Sequence, residues 1–503
     1  MTWRHGKHSS ADYGEHLDVE CDVAILGAGA GGCAAASALA QRGFRVALFE
    51  EGKHWNPGDF KASNAFAFRH VYAERGNRVA VGNGWMPING GRGVGGSTLI
   101  NSAISFRTPD ALLEGWRERY DFDPELNFSA YLDEVMATLR VGVDPMQVQG
   151  RNNTIFAEGM EKLGWSGGAF MPRSAPGCVG CGVCQLGCPS GGKWSADRSF
   201  LAKALLAGEV GVYADCRASG VTSEGSRITA IHGEIMDPQS QEPTGTWSVK
   251  AKHVILSGGS FGSPRFLMKN GLSESEHLGH HLRLHPATGV FAKMPEVIEH
   301  WRGVSQGYWV DRWEEGFLME TATLTPDANF IAMPLEFGEE LNRVMADLPM
   351  LALAGVLVHD EDTEARVTED GVFFEFGDGD RKTLLRGLTA VAEVFFAAGA
   401  EYLVLPVAGA GLVRDMDQVR AELHEEVPFH RIMTTSSHPM GTCRIGADPA
   451  SSVLDVHGRV WGWDNLNVAD ASTFPEALGV NPQVTVMAMG LHVGHTVADG
   501  LSG

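Results

Sequence analysis

Long hydrophobic runs are missing from this chain. No segment approaches the ~18–20 consecutive apolar residues that a membrane-spanning helix needs, and the N-terminal segment MTWRHGKHSSADYGEHLDVE has neither an apolar signal region nor a twin arginine. We therefore expect a cytoplasmic protein without a membrane span. Export of the protein together with a partner subunit stays an alternative. The same segment is predicted to be a polar, partly disordered lead-in.

Basic residues and cysteines are also scarce. The chain has 40 Lys and Arg against 62 Asp and Glu, a formal net charge of −22, so its surface repels polyanions and a DNA or RNA partner is excluded. Only eight cysteines occur in 503 residues, and a reducing compartment argues against disulfides among them. The length predicts about two or three domains with a large core.

The N-terminal part carries a nucleotide-binding pattern. Residues 22–52, DVAILGAGAGGCAAASALAQRGFRVALFEEG, predict a buried strand, a G-x-G-x-x-G turn, an Ala-rich helix and a second strand that ends in an acid. Gly27 allows the tight turn, and Gly29 lets the backbone approach a pyrophosphate. Gly32 lets helix and strand pack closely, and Glu50 would accept hydrogen bonds from ribose hydroxyls. The motif does not separate NAD from FAD, but its position ahead of a long, discontinuous remainder favours FAD.

Further segments extend this pattern along the chain. In the loop GGRGVGGSTLINSAISFR, the closely spaced Gly93, Gly95 and Gly96 predict backbone pressed against a flat or anionic ligand. The other segments are ILSGGSFGSPRFLMKNG (255–271), GHHLRLHP (279–286), SSHPMGTCRIG (436–446), NLNVADASTFP (465–475) and NPQVTVMAMG (481–490). Taken in order, these segments resemble those of the glucose–methanol–choline (GMC) oxidoreductase family.

This resemblance implies an α/β fold with two domains. A discontinuous Rossmann-like FAD-binding domain would comprise residues 15–115, 190–290 and 425–503. An α+β substrate domain with an antiparallel sheet would comprise residues 116–189 and 291–424, and would include the cysteine-rich stretch 178–189. The resemblance is weakest over about residues 287–425, where the family varies most.

The resemblance also implies how FAD is held. Ile100 stands where some relatives carry a histidine bonded to the flavin, so we expect FAD to be non-covalent. Asn101 would lie beside the isoalloxazine, and Val221 would offer its backbone to the adenine. Asp470 and Ala471 would lie near the diphosphate and the ribityl chain.

His438 and Asn481 are the predicted catalytic residues. Oxidation of an alcohol removes a carbinol hydride, which flavin N5 can accept, and a hydroxyl proton, which a histidine can accept near neutral pH. By resemblance His438 is this base, and Asn481 donates a hydrogen bond to the alkoxide-like oxygen. Asn cannot take a proton, so the acid–base role falls on His438 alone. His285 and His457 are predicted to be structural.

Half of the cysteines lie in one stretch, CVGCGVCQLGCP. Its spacing, C-x2-C-x2-C-x3-C-P, is similar to the ferredoxin cluster-binding run. Cys178, Cys184 and Cys188 also match the C-x5-C-x3-C spacing of the three-iron cluster in some sugar dehydrogenase subunits of the family, and related loops occur in its long-chain alcohol oxidases. Cys181 is extra, either a fourth ligand of a four-iron cluster or free. An iron–sulfur cluster is predicted; structural thiols, a disulfide or zinc remain alternatives.

These features predict an FAD-dependent alcohol dehydrogenase whose electrons leave through the cluster to an acceptor protein or a quinone. Aromatic residues of the variable domain, among them Trp309 and Trp313, favour an apolar or aromatic alcohol. Three alternatives stay open: an alcohol oxidase that uses oxygen without a cluster, a non-redox enzyme like the hydroxynitrile lyases, and a subunit that mainly relays electrons.

Overall fold

A computed structural model of the chain describes residues 3–122 and 128–503; residues 1–2 of the predicted lead-in and 123–127 of the predicted substrate domain lie outside the described residues. The largest sheet consists of β1 (Gly6–His8), β2 (His16–Leu26), β3 (Val46–Phe49), β9 (Val210–Tyr213), β10 (Cys216–Glu224), β11 (Arg227–Met236), β12 (Pro243–Leu256) and β21 (Leu466–Val468). The strand order is β1-β9-β3-β2-β12-β11-β10, and β21 also pairs with β12. The pairs between β1 and β12 are parallel, and β10 and β11 add an antiparallel edge.

The centre of this sheet is buried on both faces, as its sequence predicts. The last four residues of β2 and all four of β3 are apolar and buried. The helices α1 (Ala30–Gln41), α6 (Phe200–Ala207) and α11 (Gln483–Ser502) pack beside it. Small residues let α1 and α11 approach closely, because a side chain at Gly490 would meet the backbone of Gly31.

A second sheet is antiparallel throughout. It consists of β7 (Gly168–Phe170), β13 (Ala287–Lys293), β14 (Tyr308–Arg312), β15 (Phe317–Thr321), β16 (Leu351–Val358), β19 (Tyr402–Val404) and β20 (Leu412–Val413). The helices α5 (Arg151–Leu163) and α9 (Asp378–Ala398) pack on it. This arrangement confirms the predicted α/β fold class with an antiparallel sheet, whereas the domain boundaries given above stay predictions.

The remaining elements are smaller. Four strands, β4 (Val79–Gly82), β5 (Trp85–Pro87), β17 (Glu364–Val367) and β18 (Val372–Glu375), form a third sheet, and β6 (Gly142–Val143) pairs with β8 (Pro172–Arg173). The other helices are α2 (Asn64–His70), α3 (Asp110–Tyr120), α4 (Phe128–Thr138), α7 (Gly259–Lys269), α8 (Glu339–Ala346) and α10 (Met416–Glu422). Across 3–122 and 128–503, no helix combines the length and the apolar character that a membrane crossing requires.

The predicted disordered lead-in is wrong for the described residues. Residues 6–8 form β1, which pairs with β9, and residues 16–21 belong to β2. Strand pairing with residues about two hundred positions away orders this polar segment. A local reading of composition does not reveal such a long-range partner.

Candidate active site

Two glycine-rich turns meet at the carboxyl ends of the parallel strands. The first follows β2, and its Gly27 has φ +109° and a backbone so close to Ser257 that a side chain would meet that carbonyl oxygen. The N–H of Gly95 in the second turn donates to the carbonyl oxygen of Ala28 at 2.8 Å. A Cβ on Gly96, which has φ +53°, would lie 2.8 Å from Cα of Gly29. Such a bare-backbone cradle beside the N-terminus of α1 fits a dinucleotide pyrophosphate.

The first turn is closed by its third glycine. A side chain at Gly32, in the first turn of α1, would meet the carbonyl oxygen of Gly27 and the side chain of Ser257. The helix therefore packs directly on the turn and on the end of β12. This contact corresponds to the close helix–strand packing that the sequence pattern predicts.

The carboxyl group of Glu50 is hydrogen-bonded to both glycine-rich turns. Its Oε2 accepts from the N–H of Ala28 at 3.1 Å, and its Oε1 accepts from Gly52 at 3.0 Å and from Gly93 at 3.1 Å. Burial, with Glu51 adjacent, raises the pKa of this carboxyl to about 7. Two carboxylate oxygens offer about four acceptor sites, so one remains for the predicted ribose contact.

Asp470 and Ala471 connect this region to the C-terminal segments. The Asp470 carboxylate accepts from the N–H of Gly259 at 2.9 Å, from Oγ of Ser263 at 2.6 Å and from the N–H of Ser472 at 2.8 Å. It therefore lies at the N-terminus of α7, and burial raises its pKa. The carbonyl oxygen of Ala471 accepts from Gly441 at 3.1 Å, within the segment that carries His438.

Val221 lies apart from these contacts. It lies on β10, opposite Ile231. The start of β10 is the end near Glu50, which follows β3: there the N–H of Cys216 donates to the carbonyl oxygen of Glu50 at 2.8 Å. The adenine contact predicted for Val221 stays a prediction.

The predicted catalytic residues lie side by side, with Asn481 buried and His438 partly buried. Nδ2 of Asn481 is 3.3 Å from Nε2 of His438. Burial lowers the pKa of His438 to about 4, so its ring is neutral at pH 7 and has a lone pair that can accept a proton. Within the described residues, Nδ1 of His438 and Oδ1 of Asn481 have no hydrogen-bond partner.

Asn101 is joined to the same segment. Its Nδ2 donates to Oε1 of Gln483 at 2.9 Å, and its Oδ1 accepts from the N–H of Ala103 at 3.1 Å. Gln483 begins α11 two residues after Asn481. The second glycine turn and the catalytic pair are thus held in one hydrogen-bonded unit.

Two further ionisable residues lie near the pair. His285 is fully buried, with its ring centroid 5.5 Å from that of His438, and its Nε2 accepts from the N–H of Gly479 at 3.0 Å. This contact agrees with the structural role expected for His285. Glu320 was missed by the sequence analysis; it is buried on β15, its Oε2 accepts from Nε2 of Gln306 at 3.0 Å, and burial raises the pKa of its carboxyl to about 7, opposed by the nearby Asn481 side chain. An acid within the apolar run GFLMETATL was the available signal.

The four cysteines of residues 178–189 line one small, open cavity. The buried guanidinium of Arg173 donates to Sγ of Cys178 at 3.6 Å and to Sγ of Cys184 at 3.4 Å. Cys181 is exposed, and Sγ of Cys188 accepts from the backbone N–H of Lys193 at 3.3 Å. In the described ranges, no three His, Cys, Asp or Glu side chains are arranged to hold a metal ion.

Lys193 links this cavity to the second glycine turn. Its buried ammonium donates to the carbonyl oxygens of Leu99 at 2.8 Å, Asn101 at 2.7 Å and Cys184 at 3.1 Å. One side chain therefore bonds both to the residue expected beside the isoalloxazine and to a cysteine of the cavity.

Comparisons with known proteins agree with these observations. Two models of GMC oxidoreductases match residues 68–287 and 364–490, and a model of the NAD(P)-binding Rossmann-like domain matches residues 25–78. The chain is 32% identical to an uncharacterised GMC-type oxidoreductase of Mycobacterium tuberculosis (strain H37Rv), over 94% of this chain and 75% of the relative. It is 27% identical to a long-chain-alcohol oxidase of Arabidopsis thaliana, over 99% of this chain and 70% of that protein.

Solved structures share the fold. Pyridoxine 4-oxidase from Mesorbium loti superposes with a TM-score of 0.71 at 17% identity, over 95% of this chain and 99% of its own. A formate oxidase of Aspergillus oryzae gives a TM-score of 0.68 at 15% identity, over 96% and 99% of the two chains. The family models and the 32% identical relative make the chain an FAD-dependent oxidoreductase that acts on CH–OH groups, and the solved structures agree with its fold. The chain belongs to the GMC oxidoreductase family.

Proposed function

We propose that the protein oxidises an alcohol to a carbonyl compound, with His438 as the base that takes the hydroxyl proton. The observation that carries this proposal is the partly buried pair of His438 and Asn481, with Nδ2 and Nε2 3.3 Å apart, which Gln483 connects to the second glycine turn. FAD, when bound, supplies the hydride acceptor at N5. The glycine turns, Glu50 and Asp470 are the groups that would hold it.

His438 is suited to this role by its surroundings. Because burial lowers its pKa to about 4, the imidazole is free to accept a proton throughout the neutral range. Asn481 lies where its Nδ2 can donate to the substrate oxygen as negative charge develops. The ring of His285 packs edge-on against that of His438, with centroids 5.5 Å apart, and so restricts the movement of the imidazole.

The substrate we propose is an apolar alcohol. Trp309 on β14 packs against Phe106 with ring centroids 4.4 Å apart, and β15 beside it is buried along its whole length. The similarity to long-chain-alcohol oxidases supports the same substrate class. We expect anaerobic reduction of the bound flavin to become faster at equal alcohol concentration along the series ethanol, hexanol and dodecanol, measured as the rate of flavin absorbance loss. An optimum at ethanol would contradict an apolar pocket.

We further propose that an iron–sulfur cluster occupies the cysteine-lined cavity. Four thiols in one loop are soft ligands, and the Arg173 guanidinium and the Lys193 N–H group already donate to three of their sulfur atoms. When bound, such a cluster takes and passes single electrons, which favours an acceptor protein or a quinone. Lys193 supports this assignment because it bonds to both the cavity and the second glycine turn.

Iron analysis tests this part of the proposal. Anaerobically purified protein is expected to contain iron and acid-labile sulfide, and Cys184→Ser is expected to lose most of both, because one ligand of the set is removed. Cys443→Ser is the matched control: Cys443 is also buried and free but lies outside the loop. Wild-type protein without iron or sulfide would contradict the cluster and leave alcohol oxidation itself untouched.

An alcohol oxidase that uses oxygen is the second candidate. Similarity to proteins named as oxidases favours it. Stoichiometric hydrogen peroxide formed under air by iron-free protein would identify this activity. A dehydrogenase with a cluster would instead reduce a dye or quinone much faster than oxygen.

A further inference from the structure

Residues 101–105, which follow the second glycine turn, form a turn of their own with a strained residue in it. Ala103 is buried and has φ +62°, in the left-handed region that residues other than glycine rarely adopt. Its N–H donates to Oδ1 of Asn101 at 3.1 Å, and its carbonyl oxygen accepts from Oγ of Ser105 at 3.0 Å and from the N–H of Ser174 at 2.8 Å. Such a conformation persists only where the surrounding structure holds it.

Gln483, which begins α11, joins the 101–105 turn to the catalytic segment. Its Oε1 accepts from Nδ2 of Asn101 at 2.9 Å. Its Nε2 donates to the carbonyl oxygen of Ile104 at 2.5 Å and to Oγ of Ser105 at 2.9 Å. One buried carboxamide is therefore bonded at both of its ends to the same turn.

The orientation of both carboxamides is set by the backbone of the turn. The N–H of Ala103 only donates, so it faces Oδ1 of Asn101 and leaves Nδ2 of Asn101 to donate to Gln483. The carbonyl oxygen of Ile104 only accepts, so it faces Nε2 of Gln483. Reversing either side chain would bring two donors or two acceptors together, which is costly for buried groups.

This network lies between the two places that FAD has to join. The 101–105 turn follows Gly96, whose bare backbone forms the pyrophosphate cradle with Gly29. Asn481, the predicted donor to the substrate oxygen, comes two residues before Gln483. FAD held in the cradle has to accept a hydride at the catalytic pair, and the bonds of Gln483 connect these two parts of the site.

We propose that Gln483 is a positioning residue for alcohol oxidation: its carboxamide holds the strained 101–105 turn against the start of α11 and so fixes Asn481 relative to the loop that binds FAD. This inference rests on the function proposed above. Gln483 gives up no proton and accepts none during the reaction. Without its bonds, Ala103 can leave the left-handed region, and the loop and Asn481 can move independently.

The rate of flavin reduction by alcohol separates positioning from stability. Gln483→Leu should lower the limiting rate by up to about 10²-fold, the loss that a displacement of ~1 Å can cause, with little change in the apparent dissociation constant of the alcohol. Thr485→Val is the matched control, because it removes a buried bond of 2.7 Å from the same helix turn to Thr108, outside the 101–105 turn. It should lower the melting temperature and keep the rate. Equal losses of rate in the two variants would overturn the inference.

Gln483→Glu is a conservative replacement that responds to pH. A protonated carboxyl accepts from Asn101 and donates to the carbonyl oxygen of Ile104, as the carboxamide does, whereas an ionised carboxylate has no donor. Burial raises the pKa of the introduced carboxyl above its usual value of about 4.3. This variant should therefore approach the wild-type rate below that pKa and slow as pH rises through it, a decline that the wild type lacks. A Gln483→Glu variant as slow as Gln483→Leu at every pH would contradict the proposed role.

Hydrogen–deuterium exchange of the FAD-loaded protein gives a readout that does not depend on turnover. In Gln483→Leu the amides of Ala103 and Ser105 should exchange at least about 10-fold faster, because more than one hydrogen bond of the turn is lost. Thr485→Val should leave their exchange unchanged. Unchanged exchange in Gln483→Leu would overturn the inference even if alcohol reduces the flavin normally. If no alcohol reduces the wild-type flavin, the proposed function fails, and exchange still decides whether Gln483 holds the turn.

Discussion

Replacing His438 with alanine is expected to slow the reduction of bound flavin by alcohol by on the order of 10²–10⁴-fold, the usual contribution of a positioned acid–base group. The hydroxyl proton must leave as the carbinol hydride departs, and in this site His438 is the neutral acceptor that Asn481 contacts. Asn481 cannot substitute for it, because a carboxamide does not take up a proton near neutral pH. Anaerobic stopped-flow absorbance measures the rate directly.

The control is His430→Ala, which removes an exposed histidine of the same segment of chain and is expected to leave the rate unchanged. The pH profile adds a second check. Because the pKa of His438 is lowered to about 4, the base is neutral above that pH and is lost as pH falls through it. The wild type should therefore show an acid limb near pH 4, and His438→Ala should not. A variant that retains FAD and the wild-type rate would refute the assignment of the base.

The sequence predicts best those features that depend on local spacing. Gly27, Gly29 and Gly32 follow a strand and open a helix, and the structure has the same order of elements. A requirement for bare backbone reappears at Gly27 and Gly32, where a side chain would meet Ser257, whereas a Cβ on Gly29 would have only Cα of Gly96 nearby, at 3.9 Å. The acid that ends the second strand, Glu50, bonds to both turns.

The catalytic pair depends on the resemblance rather than on spacing. His438 and Asn481 are 43 positions apart, and nothing in their separation alone predicts a contact. Family resemblance named both residues, and only the folded chain brings their side chains together. The His438 segment is held through the bond from Gly441 to Ala471, and the Asn481 segment through the bond from Asn101 to Gln483.

Residues whose role depends on long-range pairing could not be predicted. Glu320 becomes part of the site only because β15 aligns between β14 and β16. Lys193 becomes a link only because its side chain reaches Leu99 and Asn101, more than ninety positions earlier. The strand β1 was missed for the same reason, since its partner β9 lies about two hundred residues later.

Gly96→Ala is expected to produce a folded protein that retains little FAD. The added Cβ would lie 2.8 Å from Cα of Gly29, a distance that requires the two turns to separate. Without FAD the second turn can move away and relieve this contact. With FAD bound, both turns must close on the cofactor. Overpacking, which costs ~1–3 kcal/mol, therefore destabilises the FAD complex more than the apoprotein, and the affinity for FAD should fall by about 10–100-fold.

Flavin content on purification and the dissociation constant of FAD for the apoprotein measure this effect. Added FAD should raise the melting temperature of the wild type and raise that of Gly96→Ala much less, since stabilisation by a ligand follows its affinity. Gly43→Ala is the matched control, because Gly43 also has positive φ, +82°, but has no atom near its Cβ position. Both substitutions place a side chain at positive φ, so this strain alone cannot make them differ. If Gly96→Ala binds FAD as tightly as Gly43→Ala does, the close approach of the two turns is not what holds the cofactor.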